Sequence, residues 1–544
     1  MPTAPAAPQE TVKPEDFGSL TGVVFNAATG EPLRKASVIL RRTMEGGQGG
    51  MQPVSPSSYS ATSDASGQFT LKDVPPGRYR LMAERAGFGT QNYGAKGPNA
   101  PGSIISLGRA QHMKDLTFRM TQQGVITGRV LDEDGDPVMN AMVSCMRQAY
   151  VRGRKQWVPV NGQNTNDLGE YRMHSLAAGR YFVSATYRPP IMLMTDGSTG
   201  NASEESYAPT YYPSAASLDL ASAVEVASGG QVRNIDIQLR KSRTVRVKGR
   251  VSLASGKPVR NSVVRAAPRS DSSFDFMPRM GRVDIDGRFT IAGLTPGSYW
   301  LVADSAEEGN RLTGRVAIEV GAANIENVSL TLEPLPEIQG LIKVAGGGEL
   351  KMTGLRVQLQ PKRIGVFGGG AGAQASETGT FTVKGVNPES YDVQVFGAPD
   401  THYVKTVRWG QADVTETGLD LSQGITAAEF EITLAAGAAT VDGSVQNDKQ
   451  QPASSATIVL IPQGSRTENA QYYKLTTSDQ TGAFSLKGVV PGEYRVFAFD
   501  QIESGAQMDP EFMKPFESKG ERVSLKENGH ESLKLKLIDT AENR

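Results

Sequence analysis

One pattern recurs five times along the chain, with a period of about a hundred residues, and it limits the chain to an array of small like modules. Each copy opens on a strand with a glycine in its early positions: Gly22, Gly128, Gly249, Gly340 and Gly443, which stand 106, 121, 91 and 103 residues apart. Next comes a turn ending in Gly-x-aromatic. It reads Asp64-Ala65-Ser66-Gly67-Gln68-Phe69, Asp167-Leu168-Gly169-Glu170-Tyr171, Asp284-Ile285-Asp286-Gly287-Arg288-Phe289, Glu377-Thr378-Gly379-Thr380-Phe381 and Asp479-Gln480-Thr481-Gly482-Ala483-Phe484. About ten residues after each turn glycine a second motif ends in tyrosine: Tyr79, Tyr181, Tyr299, Tyr391 and Tyr494, preceded by Pro-Gly-x in copies one, three and five. Copy four has Glu389 in place of that glycine. A solenoid unit is only some 20 to 50 residues long and cannot bury a core alone. A unit of about a hundred residues can.

The motifs have mechanical reasons. Aspartate three residues before glycine closes a turn, because its carboxylate bonds nearby backbone and glycine accepts positive φ. The following aromatic then points into a sheet interface. Alternation in Tyr79-Arg80-Leu81-Met82-Ala83 marks a strand with one buried face. Closing strands alternate in the same way, as in Leu116-Thr117-Phe118-Arg119-Met120 and Leu533-Lys534-Leu535-Lys536-Leu537. Short strands separated by regular turn signals read as an all-β fold: a linear array of five Ig-like or transthyretin-like antiparallel β-sandwich modules. The expected divisions are a disordered Pro/Ala-rich tail over 1–17 and modules over 18–121, 122–241, 242–334, 335–436 and 437–540. Very short linkers predict a semi-rigid, elongated, monomeric rod.

Length alone suggests three or four domains for 544 residues, and the repeat raises this to five. Charge is balanced, 57 Lys+Arg against 57 Asp+Glu, which argues against nucleic acid as a partner. No apolar run is long enough for a transmembrane segment. The start, Met1-Pro2-Thr3-Ala4-Pro5-Ala6-Ala7-Pro8, lacks the apolar stretch of a signal peptide but looks like what often follows one. Either the chain is exported, with its signal upstream of this start, or it is cytosolic. The single cysteine, Cys145, lies in phase with Val143 and reads as a small core residue.

These motifs resemble the carboxypeptidase regulatory-like domain, a transthyretin-like sandwich found as tandem copies in exported bacterial proteins, particularly of Acidobacteria. The residues that carry the resemblance are the glycine openings, Gly30-Glu31-Pro32 with Ala36-Ser37-Val38, the turns before the aromatics, and the Pro-Gly-x-Tyr strands. Gly135-Asp136-Pro137-Val138 and Gly256-Lys257-Pro258-Val259 repeat the early turn. The resemblance implies an extracellular, periplasmic or cell-surface location and an accessory module whose function varies with its host. Related sandwiches, collagen-adhesin B-type repeats and starch-binding-like domains, imply adhesion stalks or sugar binding. Adhesin relatives also carry Lys–Asn cross-links, for which Lys35 and Asn26 are a loose match.

A catalytic metallocarboxypeptidase centre is not expected. His112, His174, His402 and His530 fall in four different modules and none has Glu three residues on. No Gly-x-Ser-x-Gly elbow occurs, and no catalytic residue or cofactor is expected. Asp132, Asp134 and Asp136 alternate as carboxylates of a calcium loop can, but sit where each copy has a solvated turn. Gly368-Gly369-Gly370-Ala371-Gly372 and the segment from Met44 to Ser60 read as mobile loops. Tyr207, Tyr211 and Tyr212, in Tyr207-Ala208-Pro209-Thr210-Tyr211-Tyr212-Pro213, are the ligand-binding candidates. Exposed tyrosines stack on sugars, peptides or partner surfaces. The rival reading, which is favoured, folds the loop back over a sheet edge. Asp509 to Phe516 reads as a short helical turn packing Phe512 and Phe516 on its module. The expected function is a non-catalytic exported or envelope scaffold or binding protein with a protein or polysaccharide ligand; the alternative is a carbohydrate-binding protein of a polysaccharide-handling system.

Overall fold

A computed structural model describes residues 13–43, 58–97, 100–187, 205–259, 262–269, 279–307, 310–348, 350–362, 370–424 and 428–540. The glycine loop from Met44 lies outside these residues up to position 57, as do Gly368 and Gly369 and the tail over 1–12. Positions 13–17, expected to belong to a disordered tail, hold a 3-10 turn at Pro14–Asp16, and the Asp16 carbonyl accepts the Ala110 N–H at 2.8 Å.

Strands are the dominant regular structure of the described residues, and they pack around five apolar cores; two of the repeats, at 245–334 and 439–538, each form one continuous seven-stranded sheet. In the first sandwich, the opening strand Gly18–Asn26 lies between Gln68–Val74, antiparallel, and the closing strand His112–Met120, parallel. The same three-strand arrangement recurs around Gly124–Leu131, Val245–Leu253, Ile338–Val344 and Ala439–Gln446. The opposite sheet centres on the strand that carries the motif tyrosine. In the first sandwich Gly77–Glu84 pairs with Ser37–Arg42, which pairs with Ser58–Thr62. The ladders are antiparallel as expected except chiefly at this first–last pairing, which is parallel. First and last strands run side by side in the same direction, so the chain passes lengthwise through each sandwich.

Burial follows the period of two set by the pleat. Along Gly18–Asn26, buried and half-buried residues alternate without a break. Five large apolar cores result, and each draws its residues from one copy of the repeat.

Three devices recur in every sandwich. At each opening glycine an added Cβ would lie under 3.0 Å from a carbonyl oxygen of the closing strand: that of Leu116, Ile235, Val328, Phe430 or Leu533. Only a residue without a side chain permits that approach. Directly across the antiparallel ladder from each glycine stands the turn aromatic. Phe69 faces Gly22, Tyr171 faces Gly128, Phe289 faces Gly249, Phe381 faces Gly340 and Phe484 faces Gly443. All five rings are buried. In the third device each motif tyrosine donates its hydroxyl to the carbonyl four residues earlier. The acceptors are Pro75, Ala177, Thr295, Asn387 and Val490, at 2.7, 2.6, 3.0, 2.8 and 2.8 Å. A buried ring with a satisfied hydroxyl pins each corner.

The turns close as expected, with two shifts of position. Asp64, Asp284 and Asp479 each accept two backbone N–H groups, two and four residues on. In copy two the accepting residue is Asn166, not Asp167, and in copy four it is Ser376, not Glu377. Glycines 67, 169, 287, 379 and 482 all take φ between 70° and 83°.

The larger departure concerns arrangement. The expected rod would keep the first and fifth sandwiches apart, yet they touch. Thr477 Oγ1 donates to the Gly102 carbonyl at 2.9 Å, and the Gln480 amide exchanges two hydrogen bonds with the Ser106 backbone at 3.1 and 3.3 Å. Lys96 pairs with Asp500 at 2.9 Å. Short linkers restrain neighbouring modules but do not dictate the sum of the bends, and here the string turns back on itself.

Replacing Phe289 by Ala removes a buried ring and uncovers Gly249. We expect a loss of about 3–5 kcal/mol from the third sandwich, read in denaturant unfolding as an earlier transition of that module alone.

Candidate functional site

The tyrosine segment comes first. Thr210–Tyr211 adds as an edge strand to Gly179–Thr186, with Tyr211 opposite Ser184. Tyr211 is 8 % exposed and packs with Met146 and Phe182 in a small apolar cluster on the outer side of that sheet. Tyr212 is half-buried against the main core of the second sandwich, its N–H on the Val183 carbonyl at 2.9 Å. Tyr207 lies edge-on to Tyr187, ring centroids 5.8 Å apart, and its hydroxyl meets Glu133. The structure thus spreads the three rings over both faces of one sheet edge and does not gather them on one platform.

Asp132, Asp134 and Asp136 occupy a tight turn. Asp132 Oδ1 accepts the N–H groups of Asp134 and Asp136 at 3.0 and 2.9 Å, the same closure that Asp64 makes in the first module. Backbone donors take the oxygen that a cation would need. Among the described residues no group of three or more His, Cys, Asp or Glu is placed to hold a metal ion. Each histidine bonds a side chain of its own sandwich: Ser19, Ser175, Thr401 or Asp442. Cys145 is buried in the second core, and burial pushes its thiol up to about 12. Asn26 uses its side chain to accept the Ala28 N–H and makes no side-chain hydrogen bond to Lys35 among the described residues. Pro510–Met513 forms the short helix expected near the C-terminus and leads into Lys514–Lys519, with Phe516 buried.

Most of the unusual chemistry collects where sandwiches meet. The second sandwich carries a long hairpin, Met142–Val151 with Arg154–Asn164, and its tip reaches two other modules. Tyr150 sits edge-on to Phe512 at 5.8 Å and joins an apolar cluster under the C-terminal helix. Gly153 lies so close to Met508 that any side chain would clash with its carbonyl. Arg152 donates to the Pro361 carbonyl of the fourth sandwich. Only the extra length of the hairpin, with Arg152-Gly153 at its turn, hints at this role in the sequence.

The fourth and fifth sandwiches meet through charged and polar groups. Arg466 Nε bonds Glu416 at 2.9 Å, and Tyr403 donates to Glu527 at 2.8 Å, with Lys405 on the same oxygen at 3.4 Å. Hydrogen bonds from Ser465 and then Arg466 hold the Glu416 carboxyl below its usual range. Tyr403 and Lys405 do the same for Glu527. Burial alone would raise Asp500 at the first–fifth contact, but Lys96 and the Thr540 N–H outweigh it and hold that carboxyl low. Between the fourth and fifth sandwiches lies a cleft of about 110 Å³, lined on one side by residues 394–404 and on the other by Gln471, Tyr472, Lys474, Gly488 and Val490.

Residues 19–120 match the family described as carboxypeptidase regulatory-like domain. No curated protein matches the chain. Among solved structures, the chain is similar to the minor pilin of Streptococcus agalactiae, with 14% identity over 41% of this chain and 96% of that one, at a TM-score of 0.23. It is similar to the shaft pilin SpaA of Lactobacillus rhamnosus GG, with 10% identity over 39% and 98% at 0.16. It is also similar to the Bacillus anthracis TIE protein, with 14% identity at 0.16, covering 59% of this chain and only 51% of that one, about half its length. TM-scores of this size establish no common arrangement. The family match therefore holds for the first sandwich, residues 19–120.

Two outcomes are expected. Tyr211→Ala should lower the melting temperature of the second sandwich, with a cost of about 3 kcal/mol for the lost ring; calorimetry checks it. The junction carboxylates Glu416, Glu527 and Asp500 are all depressed, so their stabilisation is present above the ordinary carboxylate range of about 4 and is lost as pH falls through their lowered values. Scattering profiles should therefore widen in acid before the sandwiches lose their near-UV signal.

Proposed function

We propose that the chain is a non-catalytic scaffold or binding protein of the cell surface or exported space, built from five copies of the carboxypeptidase regulatory-like module. The proposed divisions are 18–121, 122–241, 242–334, 335–436 and 437–540. The family match over residues 19–120 supports the reading for the first module. For the others, support comes from the repeated glycine, turn aromatic and tyrosine corner at the same ladder positions.

The observation that carries the scaffold reading is the fastening of the first sandwich to the fifth. Thr477, Gln480 and Asp500 meet residues roughly four hundred positions earlier in the chain. Closing so large a loop costs conformational entropy. Specific contacts at its closure, with Ser103 and Ser455 both buried, fit a protein that holds its modules in a set relation. The carbohydrate-binding alternative rested on the sandwich type together with the tyrosine segment. Tyr211 in that segment is turned into a packed cluster, so no specific observation favours the alternative.

The test is a cross-link. Gly97 and Gln501 approach each other across the first–fifth contact, and Gln501 is exposed. A double variant, Gly97→Cys with Gln501→Cys, treated at high dilution with a short bis-maleimide, should give an intramolecular bridge in high yield. Solution scattering should give a particle nearer in size to a compact body of this length, radius of gyration about 24 Å, than to an extended rod. Bridges that form only between molecules, with a rod-like profile, would reject the reading.

A further inference from the structure

The tip of the second sandwich's long hairpin carries an arginine where its turn favours a shorter residue. Val151 and Arg154 are the last pair of the ladder, so Arg152 and Gly153 alone make the turn, with φ of 51° and 73°. Two successive positive φ values belong to the tight hairpin turn that favours Asn-Gly. A long side chain at the first of these positions is strained, and such strain persists where surrounding contacts hold it. The contact here lies on the fourth sandwich, where the Arg152 guanidinium donates to the Pro361 carbonyl.

Beside that carbonyl the fourth sandwich buries a carboxylate. Gln360 and Pro361 stand opposite Asp392 and Tyr391 across the ladder. Tyr391 belongs to the core, so Asp392 points to the outer face of the sheet. A side chain on an outer face is ordinarily open to water, yet only 8 % of this one is exposed. Its Oδ1 has no hydrogen-bond partner among the described residues. The Lys362 ammonium stands 3.8 Å from that oxygen and donates instead to the Thr417 carbonyl at 2.6 Å. Arg152, the cation that the hairpin brings, acts on Asp392 through space and uses a donor on Pro361. Asp420, on the neighbouring strand, accepts from Ser390 Oγ at 2.8 Å and is attracted to the same lysine. A buried carboxylate with an unsatisfied oxygen is costly as an anion and much less so as a neutral acid.

We infer that the hairpin and the fourth sandwich form a proton-linked latch, in which docking of the tip over Asp392 is coupled to protonation of that carboxyl. The step is uptake of one proton from solvent by the carboxylate, with no other bond made or broken. The inference goes beyond the scaffold reading and does not depend on it. Burial outweighs Lys362 and Arg152 and raises the Asp392 pKa. A carboxyl raised by docking takes up a proton as docking occurs, so acid favours the docked tip. That advantage fades as pH rises from the ordinary carboxylate value of about 4 through the raised one. Glu416, Glu527 and Asp500 are depressed and have the opposite sign, and their contacts are lost only below that range. As pH falls, the second–fourth contact therefore tightens before the other junctions loosen.

The test uses the full chain with nitroxide labels at Arg154→Cys on the hairpin and Glu377→Cys on the fourth sandwich, both exposed positions; Cys145 is buried and stays unlabelled. Pulsed electron resonance should show the ratio of docked to free tip rising about threefold or more between about pH 7 and about pH 4.5. Asp392→Asn, neutral at every pH, should hold the acid distribution throughout. On the unlabelled, unaltered chain the Asp392 carboxyl carbon should titrate with a midpoint above about 4. The titration and the pH response are both read on chains that keep Asp392, so the test stands even where Asp392→Asn folds poorly. A ratio that is unchanged or falls in acid, the same response in Asp392→Asn, or a carboxyl midpoint at or below the ordinary value would each overturn the inference.

Discussion

Everything in each sandwich hangs on how closely its last strand approaches its first. The carbonyls of Leu116, Ile235, Val328, Phe430 and Leu533 fill the space where a side chain would stand at Gly22, Gly128, Gly249, Gly340 and Gly443. The parallel ladder that closes the module needs that approach. A glycine leaves a gap on the inner face, and the aromatic across the antiparallel ladder covers it. Where the ring comes nearest, at Phe289 and Phe381, it would itself collide with an added Cβ. Glycine and aromatic are thus two halves of one packing unit about forty residues apart, and the positive-φ turn between them places the ring in register.

That unit explains why the copies diverge so freely elsewhere. Copy four replaces the second glycine with Glu389 and closes its turn with Ser376, yet Tyr391 still donates to the Asn387 carbonyl. Backbone geometry can be reached by several side chains, whereas the close contact at the opening strand tolerates only one. The same freedom lets outer surfaces specialise. The second sandwich extends a hairpin into its neighbours, and the fifth covers its outer sheet with Phe497, Phe499 and Phe516 beneath a short helix.

At the junctions a different physics applies. Cores exclude water and depend on apolar area, but the contacts between sandwiches are largely hydrogen bonds and partly exposed ion pairs. Exposed pairs contribute little singly. The first–fifth contact is better shielded, since Ser103, Ser455 and Thr477 are all buried. Arrangement therefore depends on a few specific polar groups and on pH, and the cores do not.

Legibility follows the same division. The all-β class, the five opening glycines, the buried aromatics and the positions of the tyrosines could be read from the sequence because each depends on local turn chemistry and a period of two. The pairing partner of each closing strand could not, since a ladder leaves no mark distinguishing parallel from antiparallel neighbours. Tyr207, Tyr211 and Tyr212 were legible as unusual, but whether a tyrosine covers its own sheet or faces solvent is decided by neighbours such as Met146 and Phe182. The sequence alone determined the strand class and the recurring turn and corner motifs, because those signals are local. Tertiary structure decided the return of the first sandwich onto the fifth and the cleft beside the fourth, because those depend on the sum of four linker bends and on side chains hundreds of residues apart.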